Sequence, residues 1–352
     1  MKHLTAELLE GKFGINKEII RIAEKAEENV ADIHKQFDKL GEHNQYKVIR
    51  AMQENGLSEA HFNGTTGYGY GDIGRDLIEK IYASVFGSED AIVRMQIVSG
   101  THALGICLWS LLNPGDVLLS VTGTPYDTIE EIIGLRKSSE GKTLIETGVE
   151  YCQVELDETG TPDFKNIKNM LSAKSVKVVF IQRSMGYSAR KARTLELLTK
   201  LILHIKKISP KTICLIDNCY GEFTDYDEPT SLGADIIAGS LIKNPGGGFA
   251  LTGGYIAGKT ELIELAASRL ISPGMGRKCG PSLGLNRNIL QGFFIAPHIV
   301  AQSLKGAAFG AEFFSLLGFE VTPAARDKRG DIIQAVKLKS AESLIAFCQG
   351  IQ

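Results

Sequence analysis

A chain of 352 residues with a formal net charge of −2 has no field to gather a polyanion, and no stripe of Lys or Arg with interleaved aromatics runs through it. Hydrophobic residues make up 43% and charged ones 23%, enough to bury a sizeable core, which excludes a disordered tail-like protein. The length predicts about two domains, or one large α/β domain with an appendage.

The first residues, MKHLTAELLEGKFG, carry acidic side chains where a signal peptide needs an apolar run. No stretch approaches the ~20 apolar residues of a membrane span. Cysteines 107, 152, 214, 219, 279 and 348 are scattered, without a C-x-x-C pair or a His spacing suited to zinc. The expectation is a cytoplasmic protein with reduced thiols, no metal, no membrane and no nucleic-acid partner.

Residues 16 to 55 read as one helix, with Ile20, Ile22, Ala23, Ala26, Val30 and Ile33 on one side. A Gly-rich loop, NGTTGYGYGDIG, spans 63 to 74, and helix resumes from Arg75 to a stop at Gly87. From Ala91 short apolar runs alternate with amphipathic segments. IVRMQIV precedes a helix opening in SGTHA; DVLLSV precedes one from Pro125; VEYCQVEL and VKVVFIQ precede helices at 163–171 and 194–207; TICLIDN and ADIIAGS follow. This alternation predicts an α/β chain with a mostly parallel, doubly wound sheet, whose ligands sit beyond the carboxyl ends of its strands. A helix, the stretch ISPGMGRKCGPSLG, a long helix over about 288–317 and one strand-like run at 331–337 complete the chain. The organisation expected is a helical segment at 1–60 for subunit contacts, a large α/β domain at 61–275, and the beginning of a smaller domain at 276–352.

Two motifs mislead. GYGDIG at 69–74 has the G-x-G-x-x-G spacing, but HFNGTT before it is no apolar strand, which a dinucleotide site requires. EGKT at 140–143 fails as a phosphate-binding loop because Arg136 stands where its first glycine belongs.

Four features at strand ends carry chemistry. SGTHA at 99–103 opens a helix, so the amides of Gly100 and Thr101 can seat a phosphate. Tyr126, after the next strand, offers a ring to stack on a flat heterocycle. Asp217 ends the strand ICLID, where an unpaired carboxylate is costly and a protonated pyridine nitrogen would suit it; Tyr220, in the same DNCY turn, can reach a phenolic oxygen. Lys243, between an apolar run and a triple glycine in SLIKNPGGG, sits where burial should lower its pKa and free its amine for imine formation, with Ser240 as a further phosphate donor.

This order of features resembles fold-type I pyridoxal-phosphate (PLP) enzymes. More narrowly, SGTHALGICLWSLLNPGD, FIQRSMGYS, DNCYGEF and GADIIAGSLIKNPGGGFALTGGYIAG resemble the methionine γ-lyase-like family, whose members are often described as cystathionine β-lyase-like or aluminium-resistance proteins. The resemblance implies a seven-stranded, mostly parallel sheet between helices, and pyridoxal 5'-phosphate as cofactor. It implies phosphate contacts from Gly100, Thr101 and Ser240, stacking by Tyr126, Asp217 on the pyridine nitrogen and Lys243 as Schiff-base lysine. It further implies a carbon–sulfur lyase acting on a small sulfur amino acid, as a homodimer or homotetramer. Tyr68 or Tyr70 with Arg75 stands as the counterpart of a neighbouring subunit's phosphate ligands, and Arg183 as a substrate contact. An aminotransferase, or a PLP-fold protein without turnover in a stress or assembly role, remains open at this level. Only AVKLKS and one helix follow the long helix before FCQGIQ, a point beyond which the resembling family continues, so an incomplete carboxy-terminal domain, exposed apolar surface there and weak or no lyase activity are also expected.

Overall fold

The protein is described by a computed structural model covering residues 3–136, 141–186 and 190–351. Its amino-terminal third is helical: α1 (His3–Phe13), α2 (Lys17–Asn29), α3 (Ala31–Glu54) and α4 (Ile73–Phe86). The expected single helix over 16–55 is thus two, broken at Val30 (φ −107°, ψ 5°). The break lets fully buried Val30 and Ile33 pack with Ala308 and Ala311 of a later helix, while the Asn29 amide donates to Glu312 across the same contact at 2.7 Å. Tertiary burial here overrides the continuous helical period. α4 starts two residues earlier than its apolar pattern suggests, because the Asp72 carboxylate accepts the Arg75 N–H, and it ends on Gly87 at φ 62°.

The strand–helix alternation follows: β1 (Asp90–Arg94), α5 (Gly100–Leu111), β2 (Val117–Ser120), α6 (Asp127–Ile133), β3 (Glu150–Gln153), α7 (Phe164–Ala173), β4 (Val176–Gln182), α8 (Leu195–Ile208), β5 (Ile213–Asp217), β6 (Ile236–Ser240), β7 (Gly254–Gly258) and α9 (Thr260–Leu270). The seven strands form one sheet in the order β1-β7-β6-β5-β4-β2-β3, parallel except for β7, which runs against both β1 and β6. Side chains alternate between its two faces, as a strand's period of two requires. On β4, Val179 and Ile181 join the core beneath α3, α4, α8 and the later long helix, while Val178 and Phe180 join the core beneath α5 and α9. A helix layer on each face makes the central strands largely apolar, whereas the edge strand β3, Glu150–Gln153, is polar and only partly buried.

α10 (Asn286–Leu316) crosses one face and stacks Phe293 on Tyr82 with ring centres 3.8 Å apart. It also fixes the Lys243 loop. A Cβ on Gly292 would lie 2.2 Å from the Gly246 carbonyl oxygen, so two backbones touch where only glycine fits. Beyond α10, β8 (Glu320–Thr322) pairs antiparallel with β9 (Ala335–Lys337), and α11 (Ala341–Ile351) follows. Of the strand expected over 331–337 only the last three residues are extended. Asp331 instead turns inward, its carboxylate accepting the N–H groups of Met185 and Ile333 at 3.1 and 3.0 Å. α11 exposes Leu344, Ile345, Phe347 and Ile351. No described helix is long and apolar enough to cross a membrane.

Candidate active site

Beyond the carboxyl ends of β4, β5 and β6 lies a cavity of about 180 Å³, lined by Gly100, Thr101, Tyr126, Gln182, Asp217, Tyr220 and Lys243, among others. Each arrives by a local rule. Ser99 caps α5 by accepting the His102 N–H, which brings Gly100 to the first turn with its amide free of the helix ladder. Gly100 must lack a side chain: a Cβ there would lie 2.8 Å from the Cys219 sulfur and 3.5 Å from the Ser240 Cβ. Thr101 shares a 2.9 Å hydroxyl contact with Thr128, which ties the start of α5 to the start of α6. Tyr126 is the residue at which α6 begins.

Asp217 is the last residue of β5, in register with Gln182 on β4 and Ala238 on β6. Its carboxylate accepts the Cys219 N–H at 3.1 Å. Burial pushes its pKa up, against the charge of Lys243, the Cys219 N–H and Arg190, which favour the anion. A buried carboxylate with so few donors fits a cationic ring nitrogen. Tyr220 follows in the left-handed region at φ 69°, an uncommon conformation for a residue with a side chain, and places its ring 4.0 Å beneath the Lys243 Nζ.

Lys243 departs from the sequence expectation in one respect. Burial does act to lower its pKa, but Cys219, Tyr220, Asp217 and Glu222 outweigh it, and the ammonium is held above its ordinary value. The amine is therefore charged while these acids face it. Glu222 lies deeper, with Tyr255 donating its hydroxyl to one carboxylate oxygen at 2.8 Å and the other oxygen unpartnered; burial lifts its pKa to about 8.

Two polar atoms lack partners, one on Gln182 in the cavity lining and one on Ser240, which packs behind Gly100. Ser240, 1% exposed, holds its hydroxyl oxygen buried and unpaired, and so does the Gln182 carboxamide oxygen. A native interior leaves few such atoms, and each asks for a group that is not protein. A phosphate near Ser240, Gly100 and Thr101 answers the first, so the residues present fit PLP.

Not every expected residue comes to the cavity. Arg183 is fully buried on the other side of its strand end, donating to Asn218 at 2.7 Å and Thr224 at 3.1 Å and facing Glu228 at 3.5 Å. Its neighbours Gln182 and Ser184 line the cavity instead. Charge singles out Arg183 in the sequence, but alternation sends residues 182 and 184 one way and 183 the other. Residues 187 and 188 of the same motif lie outside the described residues. Arg75 is also committed elsewhere, to Asp76 and to the carbonyls of Gly69 and Gly280 at 2.6 and 2.9 Å. Tyr68 and Tyr70 are 69% and 59% exposed and do not line this chain's cavity. Ile333, from the carboxy-terminal segment, does line it, and no sequence signal marks it.

A profile of the family described as methionine gamma-lyase matches residues 19–352. The uncharacterized protein YnbB of Bacillus subtilis strain 168 is 47% identical over 332 residues, which cover 94% of this chain and 79% of that protein. A solved carbon-sulfur lyase involved in aluminum resistance, from Clostridium novyi NT, has a TM-score of 0.96 at 45% identity, covering 100% of this chain and 83% of that one. At the level of fold alone, the pyridoxal-5'-phosphate dependent protein YhfS of Escherichia coli matches with a TM-score of 0.61 at 15% identity, over 86% of this chain and 76% of its own.

Proposed function

The chain belongs to the methionine gamma-lyase family, and on that premise we propose that it is a PLP-dependent carbon–sulfur lyase acting on a sulfur-containing amino acid, with Lys243 as the amine that carries the cofactor. The observation behind this reading is the meeting of Lys243, Asp217 and the cradle of Gly100 and Thr101 at one cavity, with the unpartnered Ser240 hydroxyl beside it.

Ser240 and the amides of Gly100 and Thr101 would hold the phosphate, Asp217 the ring nitrogen, and Tyr126 a face of the ring. When bound, the cofactor supplies an electron sink that makes the substrate Cα–H acidic and lets a sulfur leaving group depart from Cβ or Cγ. Lys243 takes the Cα proton and can return it, and its acidic surroundings keep the ammonium form accessible between the two acts. Tyr220 steadies that ammonium from below through its ring. Burial raises the Asp217 pKa, and the charge of Lys243 works against it in favour of the anion.

The assembly that suits this reading is a dimer or a dimer of dimers, in which exposed Tyr68 and Tyr70 reach a partner's phosphate. Arg75 takes no part, being bound to the carbonyls of Gly69 and Gly280. A monomer by light scattering with full cofactor occupancy contradicts that assembly.

The activity test supplies the PLP-loaded chain with cystathionine or methionine and follows thiol, ammonia and 2-oxo acid together. Release of all three, as pyruvate or 2-oxobutyrate with the thiol, is expected. A 2-oxo acid formed only with an amino acceptor and without thiol would replace the lyase by an aminotransferase.

A further inference from the structure

A second cavity, about 260 Å³, lies among the turn at Thr159–Thr161, the start of α8 and the 323–331 segment, and shares no lining residue with the cofactor cavity. We propose that it is a binding site for a compact tetrahedral oxyanion of the phosphate or sulfate class, held by Arg193 and Arg329.

Arg193 is 1% exposed, yet its Nε and one terminal nitrogen have no hydrogen-bond partner; the other terminal nitrogen donates only to the Lys191 carbonyl. It forms no ion pair with any described carboxylate. Arg329, 8% exposed, also has an unpartnered Nε, while its other nitrogens donate to the Ile333 carbonyl at 3.3 Å and the Gln334 carboxamide at 2.6 Å. A buried guanidinium without an anion is costly, and Arg193 has none, while Arg329 has only the charges of Asp331 and Asp327 near it. Burial, with Arg190's charge adding to it, pushes the Arg193 pKa down to about 10, which an anion would reverse.

The other charged groups at the cavity do not meet this need. Lys191 faces Asp327 at 3.5 Å and Lys328 faces Glu196 at 3.0 Å, so the rim cations are paired. Asp331 and Asp327 favour the Arg329 cation, but the Asp331 oxygens already accept the N–H groups of Met185 and Ile333, and neither aspartate acts on Arg193. The start of α8 adds to the attraction. Thr194 and Leu197 line the cavity, and the Thr194 hydroxyl satisfies the Leu197 N–H, which leaves the Leu195 and Glu196 amides outside the helix ladder. A tetrahedral dianion can accept from both guanidinium groups at once, which a single carboxylate fills less well.

The test uses the PLP-loaded chain, so that the cofactor's own phosphate seat is filled. Inorganic phosphate, sulfate and acetate are titrated calorimetrically at constant ionic strength, with thermal unfolding in parallel. One saturable site for phosphate and sulfate, little response to acetate and a rise of a few degrees in Tm are expected. Arg193→Gln should weaken phosphate binding at least ~10-fold, equal to about 1.4 kcal/mol, and Arg329→Gln should also weaken it. Should Arg193→Gln not fold, Arg193→Lys keeps the charge, loses the planar fork, and should bind more weakly than the parent. Absence of saturation, an equal response to acetate, or parental affinity in Arg329→Gln together with either Arg193 variant overturns the site.

Discussion

Lys243 and Tyr220 meet face-on, the Nζ 4.0 Å from the centre of the ring, although the backbone of Tyr220 must adopt φ 69° to bring the ring there. A cation over a half-buried aromatic face is worth about 0.5–2 kcal/mol, increasing as the pair loses water. Tyr220→Phe keeps the face and should leave the stability of the cofactor-free chain within about 0.5 kcal/mol. Tyr220→Ala should lower it by about 1–2 kcal/mol. Denaturant unfolding of the three chains decides; equal losses in both variants would assign the effect to the hydroxyl.

Asp217 should affect loading and turnover in opposite directions. It is among the acids that hold the Lys243 ammonium charged, so loading, which needs the free amine, should accelerate as pH rises through neutrality. Asp217→Asn removes one anion and should load faster at pH 7. The same variant should lose turnover by about 10²-fold or more, because the ring nitrogen loses its counter-ion. Stopped-flow loading beside steady-state kcat reads both. Slower loading together with unchanged kcat would reduce Asp217 to a turn residue.

Ser240→Ala separates cofactor binding from folding. The unpartnered hydroxyl is a liability without cofactor, so the variant should be as stable as the parent or more stable, by up to about 1 kcal/mol. PLP affinity should fall about 10-fold, the worth of one charge-assisted hydrogen bond. Fluorescence titration of the cofactor, with thermal unfolding of the apo chain, measures the pair. Parental affinity in Ser240→Ala would move the phosphate elsewhere.

Glu222 gives a pH dependence with a definite sign. Burial, with the Glu228 charge adding, lifts its pKa from an ordinary 4.5 to about 8. The folded chain therefore holds this proton more tightly than the unfolded one. Its contribution is fully present below about pH 4.5 and is lost as pH rises towards 8, at about 1.4 kcal/mol for each pH unit crossed. Glu222→Gln should flatten apo stability over that window. An unchanged slope would show that Glu222 ionises without cost.

Two glycines of α10 should respond oppositely to alanine. At Gly292 the new methyl meets the Gly246 carbonyl, so Gly292→Ala should destabilise by about 1–3 kcal/mol and disturb the Lys243 loop. At exposed Gly306 nothing lies within 4 Å, and Gly306→Ala should stabilise by about 0.5–1 kcal/mol. Loss of stability in both, by denaturant titration, would trace the Gly292 effect to helix bending instead of backbone contact.

The residues legible in the sequence are those that a strand end delivers. Gly100, Tyr126, Asp217 and Lys243 each follow an apolar run, and all line one cavity. Charge makes Arg183 conspicuous in the sequence, whereas the strand parity that sends Gln182 to the cavity in its place is not. β7, a Gly-bounded run of five residues, carries no alternation to distinguish it from a loop, yet it reverses the sheet's direction beside β1. The raised pKa of Lys243 was illegible because it depends on acids from β5 and the turn after it, gathered only by folding. Ile333 reaches the cavity only through chain far away in sequence, for which local pattern has no sign.

The central claim is that Lys243 carries the cofactor. Borohydride reduction of the PLP-loaded chain, followed by peptide mass spectrometry, tests it most directly. The expected result is one cofactor-labelled peptide containing Lys243, with Lys243→Ala losing both label and activity. A label on a different lysine in the parent, or a Lys243→Ala chain that still releases thiol, would contradict it.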